Sequence, residues 1–213
     1  MRTRLGLSLL LALAFTCHSF AADGSSLKPP AGARVAVVVF EDLECPACAH
    51  AYPIFWENAK AAHVPVVLHD FPLKKHPWAF DAAVYARFFD TKDTKSQQLG
   101  NDFRAFIYQN QPQISPQNLR QYVEKFANDN HVALPFSIDP QGKLKAGIQA
   151  DMDLGDKCKL TQTPTILVVV GGNASPSFQE VTNLDSLAST IQDMQKRAGV
   201  AATPSKSTAK KPH

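Results

Sequence analysis

An unbroken apolar run, Val35 to Phe40, is followed within a few residues by Cys45-Pro46-Ala47-Cys48. The run has the length and β-branched content of a strand buried on both faces. Pro46 suits the first turn of a helix, where its missing N–H would have had no partner. That helix is expected to continue toward Ala62, with a kink at Pro53. A Cys-x-x-Cys pair at a strand-to-helix junction is a redox device before it is anything else. The helix start directs backbone N–H groups and the positive end of the macrodipole at the first sulfur, so Cys45 is the expected nucleophilic thiolate. Cys48, one turn further in, is placed to close a short disulfide with Cys45 and to release anything attached there covalently.

The first 21 residues have the three parts of a secretory leader: Arg2 and Arg4, an apolar stretch from Leu5 to Phe15, and Ser19-Phe20-Ala21 as a small-x-small cleavage site. Export follows, so the mature chain is expected in the periplasm or another extracytoplasmic space. The apolar stretch is shorter than the roughly 20 residues a spanning helix needs. No later segment is both long and apolar enough, so no stable membrane insertion is expected. Cys17 is a poor lipid-attachment site, because Phe15 and Thr16 stand where small residues usually precede such a cysteine.

Removal of the leader leaves Cys45, Cys48 and Cys158, an odd set that argues against a purely structural disulfide framework. A chain of 213 residues rich in Val, Ala, Leu and Phe can build one core without staples, so a single domain is expected. The net charge of +3 conceals a division. Of the 22 basic residues, two lie in the leader and three (Lys206, Lys210, Lys211) in the tail, leaving 17 against 19 acidic residues in the body. That near-neutral body has no basic stripe with interleaved aromatics, which gives nucleic-acid binding little support, and no nucleic-acid partner is expected. Residues 199–213, rich in Ala, Thr, Ser, Pro and Lys, read as a disordered, solvated basic tail.

Residues 22–34, with Gly, Ser and Pro29-Pro30, read as a lead-in without regular structure. Val64 to Asp70 is a second strand candidate. From about 72 to 160 the pattern turns helical, with segments at Ala79 to Asp90, Leu99 to Gln111, Pro116 to Asn130 and Lys143 to Asp153. Thr165 to Val170 is another buried strand, followed by a Gly171-Gly172-Asn173 turn, a short strand near Phe178 to Val181, and a helix from Leu184 to Arg197 with Asn183 as its N-cap. The pattern describes an α/β domain interrupted by a helical subdomain.

Three separated motifs carry a family resemblance. Phe40-Glu41-Asp42-Leu43-Glu44-Cys45-Pro46-Ala47-Cys48, then Phe71-Pro72-Leu73 with His76, then Thr163-Pro164-Thr165 ahead of an apolar strand, resemble the DsbA-like branch of the thioredoxin superfamily. The resemblance spans 35–198. It implies a thioredoxin fold with an inserted helical subdomain, a catalytic redox-active disulfide at Cys45 and Cys48 spaced by Pro46 and Ala47, and a substrate-binding cis-proline loop at Thr163 and Pro164. An X-Pro bond adopts cis at a cost of only about 0.5 to 1 kcal/mol. It also implies cysteine-containing exported proteins as substrates, a membrane-bound, quinone-linked redox partner, and no bound cofactor or metal.

The chain departs from that pattern in three places. Many relatives carry an acidic residue six positions before the first cysteine, and here the position is Val39. Glu41, Asp42 and Glu44 read as a solvated acidic loop whose charge opposes the thiolate. Ala47 stands where the strongest oxidases carry His, which predicts a weaker oxidant. Cys158 reads as a buried small residue, the sharper possibility being an alternative disulfide with the active pair. His50, His63, His69 and His76 lack the paired spacing of a zinc site. Tyr52, Phe55 and Trp56 read as core, while Trp78 borders a groove or covers the helical block. The same fold also accommodates a reductase or isomerase, or a non-catalytic binding or metal-chaperone module.

Overall fold

In the computed structural model, which describes residues 22–200 apart from 94, 95, 173 and 176, every residue of the first strand, β1 (Val35–Glu41), is buried. The leader and most of the tail lie outside the described residues. Pleating sends Val35, Val37 and Val39 into one core and Ala36, Val38 and Phe40 into another, which explains the absence of polar alternation in the run. The helix α1 (Pro46–Ala61) contains Pro53 and crosses to β2 (Val66–Asp70), which pairs parallel to β1. On the other side of β1, β3 (Thr165–Val170) runs antiparallel, with Phe40 opposite Thr165, and β4 (Phe178–Glu180) completes the order β2-β1-β3-β4.

The helices α2 (Ala79–Asp90), α3 (Gln98–Asn110), α4 (Leu119–Asp129) and α5 (Lys143–Lys157) lie between β2 and β3, within the expected insertion. Phe89, Phe103 and Phe126 form its centre, with ring centroids 4.8, 4.9 and 5.2 Å apart. Such tilted and edge-on pairs contribute beyond their buried area. This cluster is continuous with the core under the odd-numbered residues of β1, so the insertion shares its core with the sheet. The opposite face of the sheet is covered by α5, Phe71 and the lead-in. Gly155 permits the close approach of α5, since a Cβ there would stand 2.4 Å from the Phe71 ring. A 3-10 turn, Leu184–Ser186, precedes α6 (Leu187–Arg197), and Asn183 accepts the Asp185 N–H at 3.0 Å, as expected of a cap.

Both ends of the body pack against it. Residues 22–34 contain no helix or strand, yet Ala22 and Leu27 are buried, and the Asp23 N–H donates to the Cys158 carbonyl at 2.8 Å. The second face of the sheet needs an apolar cover, and this segment supplies part of it. At the other end, Gly199 takes φ 66° and Val200 returns its N–H to Gln195 at 2.9 Å, the closing bond of a glycine-terminated helix. The folded body therefore extends two residues past Ala198. Among the described residues no helix is long and apolar enough to cross a membrane.

Candidate active site

Cys45 is the N-cap of α1, with extended backbone (φ −84°, ψ 118°), and Pro46 follows inside the first turn. The register of β1 with β3 brings the Thr163–Pro164 loop beside it. The Thr163–Pro164 bond is cis, and the Thr163 carbonyl lies 3.2 Å from the Cys45 sulfur. Both cysteines are free thiols; Cys45 is 7% exposed and Cys48 1%. The Cys45 thiol is lowered to about 5, chiefly by the hydrogen bond that the Cys48 thiol donates to it. The Thr163 side chain, whose buried hydroxyl has no hydrogen-bond partner, and the N–H groups of Cys48 and Ala47 act in the same direction, against the cost of burial. Cys48 is pushed far up, first by burial and then by its role as donor to the Cys45 sulfur. One sulfur thus favours the thiolate and the other the protonated thiol. Ala47 contributes to this through its backbone, although its side chain offers nothing.

The acidic residues ahead of the pair are not a solvated loop. Glu41 is 1% exposed, accepting from Arg104 Nε and from the Tyr108 hydroxyl, both at 2.9 Å. Asp42, also buried, accepts from the N–H groups of Glu44 (2.8 Å) and Leu73 (2.7 Å) and pairs with His76 Nδ1 at 2.6 Å. Glu44 caps the start of α2 through the N–H groups of Trp78 and Ala79, at 2.7 and 3.1 Å. All three carboxylates fasten the active-site turn to the inserted segment, Asp42 to the loop after β2, Glu44 to the start of α2 and Glu41 to α3. Their partners outside the turn lie 31 to 67 residues away in sequence, and only the Phe71-Pro72-Leu73 and His76 motif hints at them. Burial, opposed by Arg104, pushes Glu41 up to about 7. Val39 and Glu41 are two residues apart on a strand and share a face. Glu41 thus places a buried carboxylate on the face that Val39 occupies, one pleat further along.

Cys158 is not brought to the pair. It is the C-cap of α5, fully buried against the even-numbered face of β1, with its sulfur 3.9 Å from Ser26 Oγ. The sheet lies between it and Cys48. His50 and His63 are exposed, and His69 pairs with Asp151 at 2.7 Å. Among the described residues no group of three or more metal-binding side chains occurs. Tyr52, Phe55 and Trp78 are buried in the core, whereas Trp56 is half-buried on the flank of α1.

Fold and site together define a thioredoxin-fold protein with a Cys-x-x-Cys pair at a helix N-terminus and a cis-proline loop beside it. A sequence model of the family described as Thioredoxin matches residues 30–173, and the chain belongs to that family. Among curated proteins no sequence matches this chain. Solved structures of DsbA proteins share the fold, including the helical insertion. α-DsbA1 of Wolbachia pipientis superposes with a TM-score of 0.64 at 14% identity, over 80% of this chain and 90% of that one. The thiol-disulfide exchange protein α-DsbA2 of the same organism gives 0.59 at 16% identity, over 78% and 85%. DsbA2 of Pseudomonas aeruginosa gives 0.54 at 20% identity, over 81% and 94%.

Proposed function

We propose that this protein is an exported thiol:disulfide oxidoreductase that introduces disulfides into cysteine-containing proteins outside the cytoplasm, through Cys45 and Cys48. The observation that carries this reading is the asymmetry of the pair. Cys45 is lowered to about 5 by donors fixed at the helix start, while Cys48 stays protonated beside it. Stabilising the thiolate stabilises the reduced enzyme and so makes its disulfide a better oxidant. A substrate thiolate attacks Cys45 of the oxidised pair, forming a mixed disulfide while Cys48 departs as a thiolate and takes up a proton. A second substrate thiolate then attacks the substrate sulfur of that bond, leaving a substrate disulfide and the Cys45 thiolate. Two electrons pass to the enzyme, and a membrane-bound redox partner must remove them before the next cycle.

Thr163 and Pro164 are the proposed substrate edge, holding an extended segment against Cys45 through the Thr163 backbone. The same comparisons support the reading: the α-DsbA2 neighbour is described as a thiol-disulfide exchange protein. The test is the reduction potential of the pair, measured in glutathione buffers with mature protein. A value well above the roughly −270 mV of thioredoxin is expected. A value at or below it would make the protein a reductase, and failure of Cys45→Ser to alter insulin reduction would remove the enzyme reading altogether.

A further inference from the structure

A second concave surface, lined by neither Cys45 nor Thr163, lies between α1 and α3 and has a volume of about 520 Å³. Its walls are one face of α1 from Ala49 to Glu57 and one face of α3 from Gln98 to Gln109, each taken at three- and four-residue spacing. Hydrogen bonds from Gln111 to the Leu43 carbonyl and from Tyr52 to the Asn101 carbonyl, at 2.9 and 2.8 Å, set the two helices antiparallel. The groove therefore begins beside Cys48, at Ala49, and descends about 12 Å along α1.

Tyr52, Trp56 and Tyr108 form an aromatic surface inside it, with the Tyr52 centroid 6.2 Å from Trp56 and 5.1 Å from Tyr108. Glu57 and Asp102 are its only acidic residues, both exposed, and no Lys, Arg or His lines it. Some exposed helical carboxylates have cationic partners on their own helix, Glu124 with Arg120, Asp129 with Lys125 and Asp193 with Lys196, while among the described residues Asp81, Asp153 and Asp156 have none. Among the described residues Glu57 and Asp102 have none, and Asp102 is held only by the neutral Gln98 amide at 2.7 Å. Aromatic faces below two unneutralised carboxylates suit a side chain with an apolar stem and a cationic head.

We propose that this groove is a second docking site, distinct from the Thr163–Pro164 edge, for a segment rich in lysine or arginine and apolar residues on the polypeptide whose cysteine is exchanged at Cys45. The proposal rests on the exchange activity for its choice of a polypeptide. Its position, one residue beyond Cys48, lets one substrate engage the sulfur and the groove together and raises the effective concentration of its thiol. Charge complementarity selects basic segments over acidic ones.

The probe is a fluorescein-labelled, cysteine-free peptide alternating Phe and Lys, set against a counterpart alternating Phe and Glu, with fluorescence anisotropy on the reduced mature protein. The lysine probe should bind and the glutamate probe should not. Reversing both carboxylates, Glu57→Lys with Asp102→Lys, should weaken the lysine probe about tenfold at low salt, with the difference shrinking as salt rises. Ala105→Trp, which fills the groove, should abolish binding at any salt; the charge reversals are exposed and decide the matter if that variant fails to fold. Exchange with dithiothreitol should be the same in the charge-reversed protein, while exchange with a cysteine peptide flanked by lysines should slow about tenfold. Equal binding of both probes, no binding, or indifference to the charge reversals would overturn the proposal. Probe binding in a protein that exchanges no disulfide would instead overturn the exchange reading and leave the groove a basic-peptide site.

Discussion

Cys45 and Cys158 are the same residue on opposite faces of one sheet and at opposite ends of a helix. Cys45 caps the N-terminus of α1, where N–H groups converge, and it is lowered to about 5. Cys158 caps the C-terminus of α5, where carbonyls converge, and burial raises it. Both are nearly or wholly shielded from solvent, so burial alone does not separate a reactive thiol from an inert one. The difference lies in which backbone dipoles and which hydrogen-bond donors face the sulfur.

The sharpest break of this comparison is substitution at each site. Cys45→Ser removes the nucleophile and should abolish cysteine-dependent exchange in an insulin assay, leaving only the uncatalysed rate. In the intact reduced protein, iodoacetamide at slightly acid pH should label Cys45 alone, with mass mapping as the check. Label on Cys158 under native conditions would contradict the assigned environments.

The next largest effect concerns Glu41, which belongs with Cys45 in the polar half of the comparison. Cys48 must gain or lose a proton whenever it leaves or attacks, and Glu41 near 7 is suited to exchange that proton at neutral pH. Glu41→Gln should slow escape from a mixed disulfide at Cys45 by about 100-fold, the low end of general acid–base effects, while leaving Cys45 alkylation unchanged. The same shift bears on stability. A carboxyl raised above its ordinary value favours the fold when neutral, so its contribution is complete below the ordinary value of 4.5 and is lost as pH rises through about 7. The melting temperature of Glu41→Gln relative to wild type should therefore rise between about pH 5 and 8.

A smaller but more direct measurement is the thiolate absorbance of the reduced protein. Its midpoint should fall near 5, with no second thiolate appearing before the alkaline range. Because the Cys45 shift is downward, its stabilisation of the reduced fold is complete above the ordinary thiol value of 9 and is lost as pH falls through about 5. Denaturant midpoints of reduced and oxidised protein should accordingly move in favour of the reduced form as pH rises across that window. A midpoint near 9 would mean that the donors around Cys45 do not act as described.

Much of the polar half was visible in the sequence because its signals are local. Pro46 marks the helix start, the apolar run marks β1, and Thr163-Pro164 stands directly before the β3 run. Glu41 and Asp42 read as solvated in the sequence and are buried in the fold because their partners are not local. Glu41 meets Arg104 and Tyr108 across 63 and 67 residues, and a charged side chain near a loop gives no sign that a cation will be buried against it. The packing of the lead-in is hidden in the sequence for a related reason: its prolines exclude regular structure but do not prevent Leu27 from covering a sheet face. Cys158 packs as the buried small residue that its type predicts, and its place at a helix C-terminus follows from α5 running on past Asp153 to Lys157.

Cys158→Ala gives the smallest effect and isolates the apolar half. The sulfur lies among Phe40, Phe71 and Leu160, with one long contact to Ser26 and none to the active pair. Its removal deletes one buried atom and leaves a small void, so a loss of about 1 kcal/mol in denaturant stability is expected, at the level of other small core truncations. Exchange rate and potential should remain within twofold of wild type, because no donor or dipole at Cys45 has changed. A shift in the Cys45 titration on this substitution would mean that the two faces of the sheet communicate, through the Phe40 side chain or the register of β1 and β3. The helix-end account of thiol reactivity would then be incomplete, since it treats the two cysteines as independent.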